Sequence, residues 1–493
     1  MRLNTSYKQI LAISVPIMLG SAAQNIIVLC DNVFLYHVSE VDFAAVGLVG
    51  VFYLIIASIG YGFSRGGQVL IARRHGERDY AAAGDYFKAL VMFELMMAVA
   101  MFLFLYFGSA WFFSLFIENP VIYEKCLEYI IPRSFGVFFS YVGVSFVAFY
   151  TGVAKTRIII YDTIILIVVN IILNYIFIYG KLGFEPMGIA GAGLASTLAE
   201  VVAFAAFILY MLFDKSNKAY KITGFEKFNV PLIKQTYDIS APIVWQSIVG
   251  LGSWFIFFAL IENMGSRQLE VSNLIRNVYL ILSIPCWGYS AGINTLVSNY
   301  IGNRKRFAVI PIAIKTAKLN LFTTLMLALP VAIAPEFFLY PLFGGGELEV
   351  TEVLTEKDIL DSSKVDQYPL VYEETEMPDV NQEDEIVAVV IKDDKMSLIK
   401  EAKPLFPLLV LILAIFSIGS TFMNALTGTG HTKTALWIQS IFVVFYMLYS
   451  VIVIKYLNLS LHWAWGVEIF YWAGITAIVW WYLKSEKWHV KRF

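Results

Sequence analysis

The sequence predicts an all-α polytopic membrane protein: twelve transmembrane helices forming two parallel six-helix bundles with pseudo-two-fold symmetry. Three observations predict it. The 493 residues are 59% hydrophobic with a mean hydropathy of +0.69, a composition that belongs in a bilayer. Twelve stretches reach the roughly 20 apolar residues that a membrane helix needs. The first half of the chain is also written again in the second. Ile13-Ser14-Val15-Pro16-Ile17 recurs as Ile239-Ser240-Ala241-Pro242-Ile243, Gly62-Phe63-Ser64-Arg65-Gly66 as Gly288-Tyr289-Ser290-Ala291-Gly292, and Gly76 as Gly302, each pair 226 positions apart. Carriers are often built from two such copies that rock about a central site.

The twelve stretches run roughly over 9–38, 44–71, 86–116, 129–149, 158–180, 188–213, 241–262, 271–301, 309–343, 405–427, 435–456 and 461–483. The first continues well past a signal-peptide core and lacks a clear cleavage site, so it reads as a retained helix. An N-terminal lobe over 1–213, a cytoplasmic linker over 214–230 and a C-terminal lobe over 231–493 follow. With both termini in the cytoplasm, the inner segments hold 20 basic residues and the outer ones only Lys125, Lys181, Arg267 and Lys455, the acidic insertion set aside. That bias favours both termini inside.

The insertion covers about 347–403 and holds 17 of the 38 acids and 6 of the 36 bases. Its net charge is −11 against −2 for the whole chain, which leaves +9 elsewhere. Thr151-Gly152 matches Thr427-Gly428 at an offset near 276, so about 50 residues entered the second copy between spans nine and ten. Topology puts them outside the cell. Such a composition suits a solvated loop, and the run from Glu385 to Ile391 suits one strand of a small cap. Its partner is unknown.

Ionisable groups in a span cost several kcal/mol to insert, roughly 2.5–3.5 on insertion scales, and mark function by default. Asp31 lies in span one, about seven residues from the outer end. Asn170 and Asn174 in span five are spaced i, i+4 and so share a face. Ser196 and Thr197 lie eight or nine residues into span six. At about 1.5 Å per residue these groups fall in one outer layer. A carboxylate, amide oxygens and a hydroxyl suit Na+ at Asp31, Asn170 and Asn174, and a carboxyl in apolar surroundings can equally carry H+. The same polar residues also serve simply to join helices. Asp31 plus 226 is Phe257, and Asn170 and Asn174 plus 276 are Tyr446 and Ser450, which predicts a single site, in the first copy.

Glu200 follows Ser196 on the same face. Arg133, Arg276, Asn273 and Asn277 are accessory or cavity candidates, and Pro16 and Pro242 are hinge candidates. Glu94, Glu262 and Glu468 sit in or at the ends of spans, and those near an interface are expected to snorkel. The three cysteines, Cys30, Cys126 and Cys286, show no ligand spacing. No phosphate-binding loop or hydrolase motif occurs. The chain therefore reads as neither an enzyme nor an ATP-driven pump, which leaves an ion gradient as its energy source.

The ordered motifs resemble the multidrug and toxic compound extrusion (MATE) family. They are the Pro16 and Asp31 span, Gly62 to Gly76, Thr151-Gly152 to Arg157, Asn170-Ile171-Ile172-Leu173-Asn174-Tyr175, Met187-Gly188-Ile189-Ala190-Gly191 to Ser196, and Leu426-Thr427-Gly428-Thr429-Gly430. The resemblance implies antiport of organic cations or other amphipathic toxins against inward H+ or Na+, without a resident cofactor. It also implies an ion site on Asp31, Asn170, Asn174 and Ser196 or Thr197. The partners expected are small molecules and the lipid bilayer of a bacterial inner membrane, not nucleic acid, with the chain acting as a monomer. Two departures stand out. Family acids in spans seven and ten are Gly250 and the Ile415-Phe416-Ser417 neighbourhood here. The alternatives are a lipid-linked precursor flippase of the same broad superfamily, and a receptor or assembly protein that acts through the insertion.

Overall fold

A computed structural model describes residues 6–490 apart from 37, 118, 223, 225–228, 344–348, 356–385, 393 and 486. The first lobe holds α1 (Tyr7–Tyr36), α2 (Glu40–Gly76) and α3 (Tyr80–Leu103), the last running through a π-helical turn at Phe104–Gly108 into α4 (Ser109–Ser114). Next come α5 (Pro120–Ser134) and α6 (Gly136–Gly152), bent 50° to each other, then α7 (Arg157–Tyr179) and α8 (Gly188–Phe213). The second lobe begins with α9 (Val230–Glu262), then α10 (Ser266–Leu282) and α11 (Ile284–Gly302), bent 43°, and α12 (Val309–Ile333) with the short α13 (Pro335–Phe343). It ends with α14 (Asp394–Ala402), α15 (Phe406–Gly428), α16 (Thr432–Val451), α17 (Leu461–Trp465) and α18 (Val467–Lys484). Among the described residues eleven spans cross by length and composition, each bent pair counted once. The 30-residue α1 makes twelve.

The same wiring occurs twice. α1 packs on α7, α2 on α6, α5 on α8 and α7 on α8. In the second lobe α9 packs on α16, α11 on α15, α15 on α18 and α16 on α18. Across the lobes α1 meets α11 and α9 meets α2. The sequence repeat is visible atom by atom in this seam. A side chain at Gly76 would strike the Asn299 carbonyl, and one at Gly302 would strike the Arg73 carbonyl. Likewise Gly66 lies on Ser240 and Gly292 on Ser14, while Gly62 lies on Val244 and Gly288 on Met18. Each of these pairs maps onto its mate through the 226-residue offset, as a two-fold axis requires.

Every one of those contacts lies in the half of the bundle nearer the termini. Gln68 Nε2 donates there to Thr295 Oγ1 at 2.6 Å, Ser240 Oγ to the Phe63 carbonyl at 2.8 Å, and Asn299 Nδ2 to the Gly152 carbonyl at 3.0 Å. Farther from the termini, Leu48 and Ile55 of α2 and Phe255 of α9 stand exposed. Among the described residues, the contacts named here close the lobes at the end nearer the termini.

Neither of the two hinge candidates interrupts its helix. α1 and α9 run as unbroken helices through Pro16 and Pro242. Pro16 lacks an N–H, which frees the Ala12 carbonyl, and Thr156 Oγ1 donates to it at 3.0 Å. The two breaks between bent helix pairs fall after Pro132 and just before Pro285.

The insertion adds one feature to a helical fold. β1 (Glu349–Thr355) pairs antiparallel with β2 (Ile386–Lys392), with Val353 opposite Val389, so the expected strand is present and has a partner. α14 packs on α10 and α13. Arg267 Nε meets Glu401 Oε2 at 3.0 Å and Lys403 Nζ meets Glu336 Oε1 at 2.7 Å. Residues 356–385, most of the acidic stretch, lie outside the described residues.

Gly76→Ala and Gly302→Ala should each destabilise the folded chain by about 1–3 kcal/mol through overpacking against backbone. Gly143→Ala, with nothing within 4 Å of the added carbon, should leave stability unchanged or slightly raised. Unfolding of the purified variants in detergent measures the difference.

Candidate functional site

The site is assembled where three helices approach unusually closely. Gly180 ends α7 in the left-handed conformation (φ 65°), and Met187 N then donates to the Phe177 carbonyl at 2.9 Å. The chain thus turns back at once and lays α8 beside α7. The first turns of α8 are Gly-Ile-Ala-Gly-Ala-Gly-Leu-Ala. A carbon on Gly193 would lie 2.5 Å from the Tyr129 carbonyl, and one on Gly191 2.9 Å from the Phe177 carbonyl. Small residues here let α5 and α7 close on α8, which brings short polar side chains within reach of α1.

Asp31 sits in the resulting pocket and is 1% exposed. Asn174 Nδ2 donates to its Oδ1 at 2.7 Å, and Asn170 Nδ2 to the same oxygen at 3.4 Å. Ser196 Oγ donates to Oδ2 at 2.9 Å and Tyr129 OH at 3.1 Å. Asn170 Nδ2 also reaches Ser196 Oγ at 3.0 Å, and Asn174 Nδ2 reaches Asn170 Oδ1 at 3.3 Å. Asn174 Oδ1 is buried without a hydrogen-bond partner. Rotating the two amides would present oxygens to a cation bound at Asp31, so the donor set fits Na+ as well as it fits a proton.

A second buried group adjoins the first. Arg133 Nη2 meets Glu200 Oε1 at 2.6 Å, with the two side chains 4% and 7% exposed. The guanidinium lies 4.0 Å over the Tyr53 ring. Arg133 Nη1 and Glu200 Oε2 have no other partner. A side chain on Gly136 would strike both, so this glycine makes the room for the pair. The layer thus contains two carboxyls and one guanidinium.

The structure brings Asp31, Asn170, Asn174 and Ser196 together. Thr197 does not join them. Consecutive helical residues point about 100° apart, and Thr197 Oγ1 donates instead to the Pro132 carbonyl at 2.9 Å, beside the bend in span four. Arg276, Asn273 and Asn277 are half-buried on α10 in the other lobe, and Arg276 lies 4.9 Å over Phe258. Tyr129 is the site residue that sequence reading missed. Its signal was available, because it precedes Arg133 by four residues on one helix face. Among the snorkelling candidates, Glu262 is exposed, but Glu94 and Glu468 are 0% and 2% exposed. No group of three or more His, Cys, Asp or Glu residues is placed to hold a metal ion among the described residues.

The MatE family model matches residues 16–176, a stretch that contains Asp31, Asn170 and Asn174. The matched stretch is similar to the MATE family of transporters. The chain is a multi-pass membrane protein with that family's helical fold. A probable multidrug resistance protein NorM of Photorhabdus laumondii is 26% identical over 303 residues, covering 61% of this chain and 66% of that relative, just under two thirds of its length. Another, from Thermotoga maritima, is 24% identical over 340 residues, 67% of this chain and 70% of that one. An outward-facing structure of a multidrug resistance MATE transporter superposes with a TM-score of 0.79 at 18% identity, covering 99% of this chain and 97% of the other. A MATE structure in the bent conformation gives 0.77 at 20% identity, with 97% and 96% covered. At such identities the structures show the fold of this chain.

Arg133→Leu alone should destabilise the protein by about 3–5 kcal/mol, because Glu200 is left buried and unpaired. Arg133→Leu with Glu200→Leu should recover most of that loss. Denaturant unfolding in detergent distinguishes the single from the double variant.

Proposed function

We propose that this chain is an antiporter that exports amphipathic compounds, organic cations among them, against an inward flow of H+ or Na+. The observation that carries the reading is the charge count around Asp31. Two buried carboxyls share one guanidinium, so the ionised layer lacks one positive charge. Leaving a net charge at low dielectric is costly, and a proton or a sodium ion removes it. Such a site responds strongly to whether it is loaded.

The seam supplies the moving part. The positive-charge bias supports cytoplasmic termini in a bacterial inner membrane. On that orientation the lobes are sealed on the cytoplasmic side and the Asp31 layer lies toward the outside. The outward-facing multidrug resistance transporter of similar fold and the NorM relatives support the same reading. Loading Asp31 from outside relaxes its hold on Asn174, Ser196 and Tyr129, and so changes how α1 sits against α5, α7 and α8. The exported compound must bind the loaded and unloaded states differently for transport to follow.

Asp31→Asn should abolish gradient-driven efflux and leave the protein folded and inserted, since the amide keeps the shape of the group and drops its charge. Uptake of a fluorescent cationic dye into inverted vesicles, under imposed H+ or Na+ gradients, measures this. Undiminished coupled uptake by the variant would refute the role of Asp31.

Removal of residues 344–393 should leave transport intact, since α14 begins at Asp394 and packs on α10 and α13. Loss of dye transport by a correctly inserted deletion variant would give the insertion a direct part in the cycle.

A further inference from the structure

The second lobe was expected to contain no acidic site, yet it buries a carboxyl at the matching depth. Glu468, in the first turn of α18, is 2% exposed. Trp254 Nε1 of α9 donates to its Oε1 at 2.8 Å and Tyr446 OH of α16 to the same oxygen at 3.1 Å. Trp472 Nε1, one turn along α18, donates to Oε2 at 3.1 Å. Two of these three donors occupy repeat-equivalent positions of the first site. Asn170 plus 276 is Tyr446, and Ser196 plus 276 is Trp472. The acid itself has changed helix, since Asp31 plus 226 is Phe257, one turn from Trp254. Comparison of acid positions alone therefore missed it.

No basic side chain forms an ion pair with Glu468 among the described residues. The titratable groups around it are phenols: Tyr446 on α16, Tyr471 on α18 and Tyr279 on α10. α9 presents Trp254 and α15 presents Phe416, which packs on Trp472 at 4.6 Å between centroids. Arg276, the nearest candidate base on α10, lies over Phe258 instead. An ionised Glu468 thus has three neutral donors and no counter-charge. Its surroundings also choose the ligand. Indole nitrogens donate and have no lone pair to give a metal. Among the groups bonded to Glu468 in the described residues, the Tyr446 phenol alone offers an oxygen beside the carboxyl itself, too few for Na+.

We propose that Glu468 is a second ion-exchange site of this carrier, specific for protons, in the C-terminal lobe. One proton from water adds to Oε1 on one side of the membrane and leaves to water on the other. A protonated Oε1 becomes a donor. The Tyr446 hydroxyl can turn round and accept from it, but the Trp254 indole cannot. Protonation therefore weakens the bond from Trp254, the tie between α18 and α9, and α9 is the helix that packs on α2 across the seam. The part this plays in coupling rests on the antiport reading above; the exchange of the proton does not.

Two measurements on the full-length chain test it. In lipid nanodiscs, infrared difference spectra between low and high pH should contain, beside the bands of the exposed acids, two carboxylic-acid C=O components from buried groups. Glu468→Gln should remove one and Asp31→Asn the other. Tyr446→Phe and Trp254→Phe, which retain the acid, should shift only the Glu468 component. In proteoliposomes exchanging H+ for ethidium, Glu468→Gln should halve the protons moved per dye. A Glu468→Gln spectrum identical to wild type, or a Glu468 component unmoved in both aromatic variants, overturns the site. Unchanged stoichiometry with the component lost overturns its part in coupling. Normal exchange by Asp31→Asn, with the Glu468 component present, would sink the Asp31 reading and leave this one standing.

Discussion

Helices that are apolar all round have no hydrophobic reason to prefer one another to lipid. The two lobes are held together by something else, namely the close approach of backbones that glycine allows. Gly62, Gly66 and Gly76 on α2, and their repeats on α11, set helix against helix at distances no other residue permits. The bonds of Gln68, Ser240 and Asn299 reinforce the contact. Because this contact is confined to the half nearer the termini, it can open without unfolding either bundle. The alternation proposed for this chain would use that confinement.

The same constraint governs the polar interior. A buried carboxyl in lipid must find donors from several helices at once, and each donor it recruits becomes a tie between helices. Asp31 gathers α5, α7 and α8 onto α1, and Glu468 gathers α9 and α16 onto α18. A change in the charge of either acid is therefore a change in helix packing. The two sites differ in chemistry because their donors do. Amides and a serine can offer oxygen lone pairs, while indoles cannot.

Much of the architecture was legible because a bilayer leaves few choices. Twelve apolar stretches had to be twelve spans, and a repeat at one fixed offset had to place equivalent helices in equivalent surroundings. The Asp31 layer was legible for a related reason. Depth in a membrane is a linear count along each helix, so residues at equal depth can be paired from the sequence alone. Direction around a helix was harder to read. Ser196 and Thr197 have nearly the same depth and face different neighbours, one toward Asp31 and the other toward the span-four bend. Pro16 and Pro242 were legible as prolines, but not that each would sit within an unbroken helix, where a hydroxyl from another span satisfies the carbonyl that Pro16 frees.

The sequence by itself determined the class of fold, the count and pairing of spans, the insertion point between spans nine and ten, and the depth of the acid on α1. Those are properties of one helix or of one repeat, and they need no partner to be defined. Only the tertiary structure decided that Tyr129 completes the Asp31 shell, that Arg133 belongs to Glu200, that Glu94 and Glu468 are buried, and that the lobes close at one end. Each of these depends on which faces of different helices meet. That is set by the summed packing of the whole bundle, where small residues such as Gly136, Gly191 and Gly193 open room that no local pattern announces.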